Sequence, residues 1–249
     1  MSNQLFQFKQ FTIEQDRCAM KIGTDGVLLG AWTPLNSDTH SILDIGAGTG
    51  VIALQLAQRS HAQTIDAIEI DDDAYEQCSL NFENSPWGDR LFCYHASVQE
   101  FASEIDEKYD LIVSNPPFYS DPPLPSASPP KKGENKISEA RKVARFTDAL
   151  PFQHLVVCVT HLLSERGPFS VIIPKKEEEA FILLASESGL YPIKMCRVKG
   201  TPVSEIKRSM LVFSFQKQQP EVTSLIIETS RHNYTSEYTK LVQDFYIKM

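Results

Sequence analysis

Long apolar runs are missing from this 249-residue chain. A helical membrane span needs about 18 consecutive apolar residues, so nothing here is expected to cross a bilayer. The start, Met1-Ser2-Asn3-Gln4, has no basic stretch followed by an apolar one, so no secretory signal is expected. Cysteines are few and unpaired in pattern: Cys18, Cys78, Cys93, Cys158 and Cys196 are odd in number and contain no Cys-x-x-Cys. That excludes a disulfide framework and leaves reduced thiols in a cytoplasm as the simple reading. The six histidines lack metal-ligand spacing with cysteines or acids, so no metal site is expected. A positive balance is also missing. The net charge of −8 argues mildly against a nucleic-acid partner, because phosphate binding relies on Lys and Arg. No internal repeat and no convincing linker divides the chain. With 42% apolar residues it can bury a sizeable core, and a single domain over 1–249 is expected.

What is present begins with Ile42-Leu43-Asp44-Ile45-Gly46-Ala47-Gly48-Thr49-Gly50, an apolar strand pattern that breaks into three alternating glycines and then enters a helical pattern. Strand, glycine loop and helix make a βα turn at which a ligand is gripped. Glycines let the backbone approach closely, and the helix N-terminus offers free N–H groups. A dinucleotide loop reads G-x-G-x-x-G, whereas this one reads G-x-G-x-G with Asp44 two positions ahead of the first glycine. Asp44 would repel a phosphate and attract an ammonium. The second strand pattern, Thr64-Ile65-Asp66-Ala67-Ile68-Glu69, delivers a carboxylate 19 residues after Gly50 and is followed by Ile70. A carboxylate at that point suits the two hydroxyls of a ribose.

The most informative motif is Asn115-Pro116-Pro117-Phe118, directly behind the apolar run Tyr109 to Ser114. Neither proline donates a backbone N–H, and both fix φ near about −65°. The carbonyls of Asn115 and Pro116 are therefore presented outward, and the Asn115 side-chain oxygen adds another acceptor. Two acceptors converging on one –NH2 hold both hydrogens and aim the nitrogen lone pair elsewhere, while the face of Phe118 can stack an aromatic ring. Taken alone, the motif also fits a plain proline-rich turn.

Periodicity predicts strands at 42–46, 64–70, 90–94, 109–114, 169–174, 190–198 and 209–216, with helices near 49–59, 72–84, 147–164 and 177–188. Alternation of this kind implies an α/β fold with a mostly parallel seven-stranded sheet covered by helices on both faces. Residues 1–35 read as an N-terminal cover, with a short hairpin from Leu5 to Glu14, and a helix from Thr24 to Trp32. Thr24 and Asp25 could simply cap that helix, and Asp71, Asp72 and Asp73 the helix after Glu69. Seven of the 15 prolines fall between Pro116 and Pro130, so 115–145 reads as a mobile substrate loop within the domain.

Asp44 to Gly50, Glu69 and Asn115 to Phe118 together resemble a class I S-adenosylmethionine-dependent methyltransferase of the amino-methylating branch. More closely, the chain resembles the bacterial tRNA (adenine-N6)-methyltransferases that modify the adenine beside the anticodon of a valine tRNA. The resemblance extends through Met20 to Trp32, Ala144-Arg145, and Tyr234-Thr235 to Phe245-Tyr246-Ile247. It implies a Rossmann-like methyltransferase fold, a cytoplasmic monomer, S-adenosylmethionine as cofactor and tRNA as partner. It places catalysis at Asn115, Pro116, Pro117 and Phe118. The cofactor is expected at Thr24, Asp25, Asp44, Gly46, Ala47, Gly48, Gly50, Glu69, Ile70 and Asn115. An acid often follows the third strand in such enzymes; Ala96-Ser97 stands there, leaving Ser97 as a weak substitute. At Arg145-Phe146, relatives often carry His after the Arg, so no proton-accepting role is assigned there.

Two basic segments qualify the acidic total. From Lys131 to Arg145 the sequence carries Lys131, Lys132, Lys136, Arg141, Lys142 and Arg145 against Glu134 and Glu139. From Lys194 to Arg208 it carries Lys194, Arg197, Lys199, Lys207 and Arg208 against Glu205. They form either an RNA footprint or solvated loop charges. The expected RNA contacts are Tyr119, Lys131, Lys132, Arg141, Arg145, Arg197 and Lys199. Three other functions fit part of the pattern. A ribosomal RNA guanine-N2 methyltransferase typically has His where Tyr119 stands. A release-factor glutamine-N5 methyltransferase would carry Asn-Pro-Pro-Tyr and need a peptide groove. A non-catalytic module would not need Asp44, the glycines and Asn115 intact.

Overall fold

The computed structural model describes residues 5–18, 20–117 and 151–249. A central sheet is built on β3 (Ser41–Ile45), β4 (Thr64–Glu69), β5 (Leu91–His95), β6 (Leu111–Ser114) and β7 (Phe169–Pro174). β8 (Tyr191–Lys199), β9 (Ile206–Ser214) and β10 (Glu221–Ile226) complete it, in the order β10-β8-β9-β7-β6-β3-β4-β5. Only the contacts of β9 with β7 and β8 are antiparallel. The Rossmann-like α/β expectation holds; the strand count does not. The sheet has eight strands rather than seven, because Glu221–Ile226 adds itself parallel to β8 at the edge. In that strand only Leu225 is buried, so no alternation of apolar residues announces it.

Helices cover both faces. α1 (Thr24–Trp32), α2 (Val51–Arg59) and α3 (Asp72–Glu83) share a core with Ile42, Ile65 and Leu111; α4 (Val98–Glu104), α5 (Phe152–Leu162) and α6 (Glu178–Glu187) share the other with Leu43, Ile45 and Ile112. Consecutive strand residues point to opposite faces, which is why Ile42 and Leu43 enter different cores. Asp71 caps α3 by accepting from the Ala74 N–H at 2.9 Å, as the acidic run predicts. α1 instead starts after Gly23 with no side-chain cap, so Thr24 is a first-turn residue rather than a cap.

The N-terminal cover is a hairpin of β1 (Leu5–Gln7) and β2 (Thr12–Glu14), paired Leu5 to Glu14. It meets the C-terminal helix α7 (Ser236–Val242) and its tail, where Lys9 N–H donates to Phe245 O at 2.8 Å. A short antiparallel pair, β11 (Glu228–Ser230) and β12 (Asn233–Tyr234), precedes that helix. Apart from Asn115, Pro116 and Pro117, the expected substrate loop at 115–145 lies outside the described residues.

Candidate active site

Parallel pairing brings the motif residues to one rim. β3 lies between β4 and β6, with Ile45 opposite both Ile68 and Ser114. The residues that follow, Gly46, Glu69 and Asn115, therefore emerge at neighbouring strand ends, where α/β sheets bind ligands. Ser114 reinforces the junction, its hydroxyl donating to Ile45 O at 2.9 Å.

The glycine loop is held in a left-handed course, with φ of 74° at Gly46, 57° at Gly48 and 79° at Gly50. At Gly50 the requirement is double: a Cβ there would lie 2.5 Å from the Phe82 ring and 2.9 Å from Cys78 Sγ. At Gly46 and Gly48 a Cβ would meet nothing within 4 Å, so those two residues border open space. Any side chain would be strained at both positions regardless.

Glu69 organises this loop. Its Oε2 accepts from the Gly48 N–H at 2.7 Å, and its Oε1 accepts from Ile70 and Asp71 at 2.9 and 3.0 Å. Of the roughly four acceptor sites of a carboxylate, three are taken and about one is left for a ligand hydroxyl. The expectation that Glu69 receives a diol is thereby narrowed to one hydroxyl without rearrangement. Ile70 follows with its side chain half in solvent.

Asp44 sits beneath the loop, wholly buried. Its Oδ2 accepts from the Ala53 N–H of α2 at 3.1 Å, whereas Oδ1 has no partner among the described residues. Burial raises its pKa to about 7, against the Ala53 hydrogen bond and with a small push from Glu69. An unpartnered buried carboxylate oxygen is costly unless a donor or cation comes to it.

Asn115 repeats that signature on the other side of the loop. Its Oδ1 is buried and has no partner among the described residues. Pro116 is buried and Pro117 half-buried. Buried side-chain atoms without a partner are few in a folded protein; Gln55 Oε1 and Gln58 Oε1 of α2 are others here, and it is the place of Asn115 at the strand-end rim that makes its oxygen available to a ligand group. Phe118, Tyr119, Lys131, Lys132, Arg141 and Arg145 lie outside the described residues.

The remaining expected contacts are distributed less simply. Gly26 would place a Cβ 3.1 Å from Val51, so the first turn of α1 with Thr24 and Asp25 lies beside the start of α2. Asp25 itself is engaged, its Oδ2 accepting from Arg208 Nε at 2.7 Å. Ser97 commits its hydroxyl to a capping box with Glu100 and begins α4. Arg197 is turned inward, with Nη2 at 2.8 Å and Nε at 3.3 Å from the buried Glu178 carboxylate. The Ser209 hydroxyl donates to the same carboxylate, and Lys175 stands at 3.3 Å. Lys199, by contrast, ends β8 at the ligand rim, because β8 runs parallel to β10 and antiparallel to β9.

Sequence reading missed Asn81 and Gln77, polar residues buried on the inner face of α3. Their sole signal is two amides set four apart on the apolar stripe of an amphipathic helix.

Residues 23–126 match the methyltransferase small domain family. A tRNA1(Val) (adenine(37)-N6)-methyltransferase of Flavobacterium psychrophilum is 60% identical over 98% of this chain and 100% of its own length. Its counterpart in Bacteroides fragilis is 44% identical over 100% of both chains. Among solved structures, a predicted O-methyltransferase from Agrobacterium tumefaciens aligns with a TM-score of 0.65 at 18% identity, over 89% of this chain and 96% of its own. M. jannaschii TYW2 in complex with AdoMet aligns at 0.52 and 13% identity, over 84% and 85%. The structural likeness shows a methyltransferase fold; the full-length sequence identity shows more. This chain belongs to the family of tRNA1(Val) (adenine(37)-N6)-methyltransferases.

Proposed function

We propose that this protein is an S-adenosylmethionine-dependent methyltransferase acting on the exocyclic N6 amine of the adenine beside the anticodon of a valine tRNA. It works as a cytoplasmic monomer of one domain over 1–249. The observation that carries the reading is the buried Oδ1 of Asn115, without a partner among the described residues, at the strand end next to the glycine loop. The family names supply the substrate. Among the described residues no helix is long and apolar enough to cross a membrane.

The residues present fit the cofactor. Gly46 and Gly48 border the open space, and Asp44 Oδ1 lies unsatisfied beneath it. Gly46, Ala47, Gly48 and Gly50 would line the cofactor with backbone, Glu69 would accept a ribose hydroxyl, and Ile70 would lie under an apolar ring. Thr24 and Asp25 would border it from α1, and Ser97 from the end of β5. When bound, S-adenosylmethionine supplies a methyl group made electrophilic by its sulfonium.

The protein's own work is to prepare and aim the amine. Adenine N6 is delocalised into its ring and is a poor nucleophile. Asn115 Oδ1 and the Pro116 carbonyl would accept its two N–H bonds, fixing the plane of the group and directing the lone pair. As positive charge develops on that nitrogen, both bonds strengthen, so the stabilisation is selective for the transition state. The spare proton then leaves to water. Phe118 is assigned to stacking on the flipped base, a contact worth about 1–3 kcal/mol. An anticodon-loop base is splayed more cheaply than one inside a duplex. Lys199 and the basic residues of 131–145 would contact phosphates.

Incubating the protein with methyl-tritiated cofactor and total tRNA, ribosomal RNA or release factor tests the reading. N6-methyladenosine in tRNA is the expected product. Label found only in protein, or only in guanosine of ribosomal RNA, would reject it.

A further inference from the structure

The strap of residues 12–18, which begins as β2 of the N-terminal hairpin and runs on from it, is fastened to α3 by the two amides the sequence did not single out. Asn81 does most of it. Its Oδ1 accepts from the Glu14 N–H at 2.8 Å, and its Nδ2 donates both to Glu14 O at 2.9 Å and to Thr49 O at 3.0 Å. Thr49 lies between Gly48 and Gly50, so one side chain joins the strap to the loop that borders the proposed cofactor space. Both N–H donors of that amide are used and its oxygen accepts one bond, and the residue is 1% exposed. One turn earlier Gln77 Oε1 accepts from the Arg17 N–H at 3.1 Å, and Arg17 pairs with Glu76 at 2.6 Å. Among the described hydrogen bonds Gln77 therefore fastens the strap and makes none to the loop. The strap ends at the buried Cys18, whose thiol burial pushes up to about 12, with the Glu69 and Asp71 carboxylates adding to it.

We infer that Asn81 is a positioning residue for the glycine loop, coupling the order of the 12–18 strap to the shape of the S-adenosylmethionine site. The loop needs such a support. Thr49 O is a carbonyl between two left-handed glycines, Gly48 and Gly50, where backbone freedom is greatest and no regular ladder satisfies it. The strap's Glu14 is held through both of its backbone groups, so the strap cannot lift without freeing the amide that steadies Thr49. Coupling of this kind is reciprocal: whatever orders the loop also protects the strap.

The inference rests on the cofactor reading above, and the test separates the two. Calorimetric titration with S-adenosylhomocysteine is run on wild type, Asn81→Ala and Gln77→Ala. Binding by wild type checks the cofactor reading; its absence would fail that reading, and the coupling with it. Asn81→Ala is expected to weaken binding about tenfold and raise KM for the cofactor with kcat little changed, while Gln77→Ala stays within about twofold. Both variants lower thermal stability, so stability alone does not separate them. Hydrogen exchange supplies the second readout: the ligand is expected to slow exchange of the Glu14 amide in wild type and Gln77→Ala but not in Asn81→Ala. Should Asn81→Ala fail to fold, the wild-type exchange experiment decides. A wild type that binds ligand with no change at Glu14, or an Asn81→Ala that binds as tightly as wild type, would overturn the coupling.

Discussion

At the scale of single residues, two oxygen atoms define the site, Asn115 Oδ1 and Asp44 Oδ1, both buried and both without a partner among the described residues. They make different predictions. Replacing Asn115 by Ala removes an acceptor used when charge develops on the nucleophile. Turnover is expected to fall by a factor of roughly 10² to 10³, in line with loss of one preorganised hydrogen-bonding group. Cofactor affinity, measured by the same titration, stays within a few fold; equal loss of both would make Asn115 scaffold.

Asp44 predicts a pH effect. Its folded pKa is raised by burial to about 7, above the ordinary 3.8. Between those values the folded protein holds a proton that the unfolded chain releases, so stability decreases as pH rises through that window and levels off above it. Asp44→Asn keeps the shape and removes the charge. Without cofactor, the variant is expected to gain thermal stability over wild type at pH 8 and little at pH 4. Melting curves at the two pH values check this, and comparing the variants cancels the other carboxylates, including Asp66, which burial also raises. The same variant should bind cofactor more weakly.

Among secondary elements, the β8–β9 pair decides between two readings of its charges. Arg197 belongs to a network around the buried Glu178 carboxylate with Ser209 and Lys175, whereas Lys199 ends its strand at the rim. The Glu178 carboxyl is held below its usual range by these partners despite burial. Arg197→Ala leaves Glu178 buried with Lys175 and the Ser209 hydroxyl, and a loss of about 1–3 kcal/mol is expected, less than for a fully enclosed pair. Lys199→Ala should leave stability unchanged and reduce the salt dependence of tRNA binding by about one phosphate contact. Thermal melts and filter binding over a salt series measure both. A salt slope that drops for Arg197→Ala at unchanged stability would return that residue to the RNA interface.

How legible these elements were follows from their chemistry. Strands β3, β4, β6 and β7 are nearly continuous buried apolar runs, as central parallel strands should be, and were placed within a residue or two. The glycine loop and the diproline corner are readable because their residue types restrict the backbone directly. α4 has a signal, the Ser97-x-x-Glu100 capping box, but at seven residues it is too short for its periodicity to announce it. β10 has no comparable signal, since pairing with β8 rather than burial makes it a strand. Arg197 shows the remaining gap: spacing locates a charge along the chain, but only packing tells whether it faces a phosphate or a buried carboxylate.

Across the whole molecule, the two ends of the chain hold each other. Lys9 reaches Gln243 O with its ammonium at 2.6 Å, Phe8 bridges to Tyr246, and their rings stack at 5.9 Å. Gln58 of α2 donates to Asp244 O at 2.9 Å, so the C-terminal tail is tied to the helix that follows the glycine loop as well. Tyr238, Val242 and Phe245 are buried in the same core as Phe8, Leu29 and Ile52. Each such side chain contributes about 1.5–3 kcal/mol by transfer from water, so removing 236–249 forfeits an amount comparable with the whole stability of an ordinary domain. A chain cut before Ser236 is therefore expected to lose cooperative thermal unfolding, although every proposed catalytic and cofactor residue is retained. Phe245→Ala offers a graded version: about 3–5 kcal/mol less stable by denaturant titration, with cofactor affinity near wild type at temperatures where it stays folded. If the shortened chain still unfolded cooperatively near the wild-type temperature, the clasp between the termini would be an ornament on a core that stands without it.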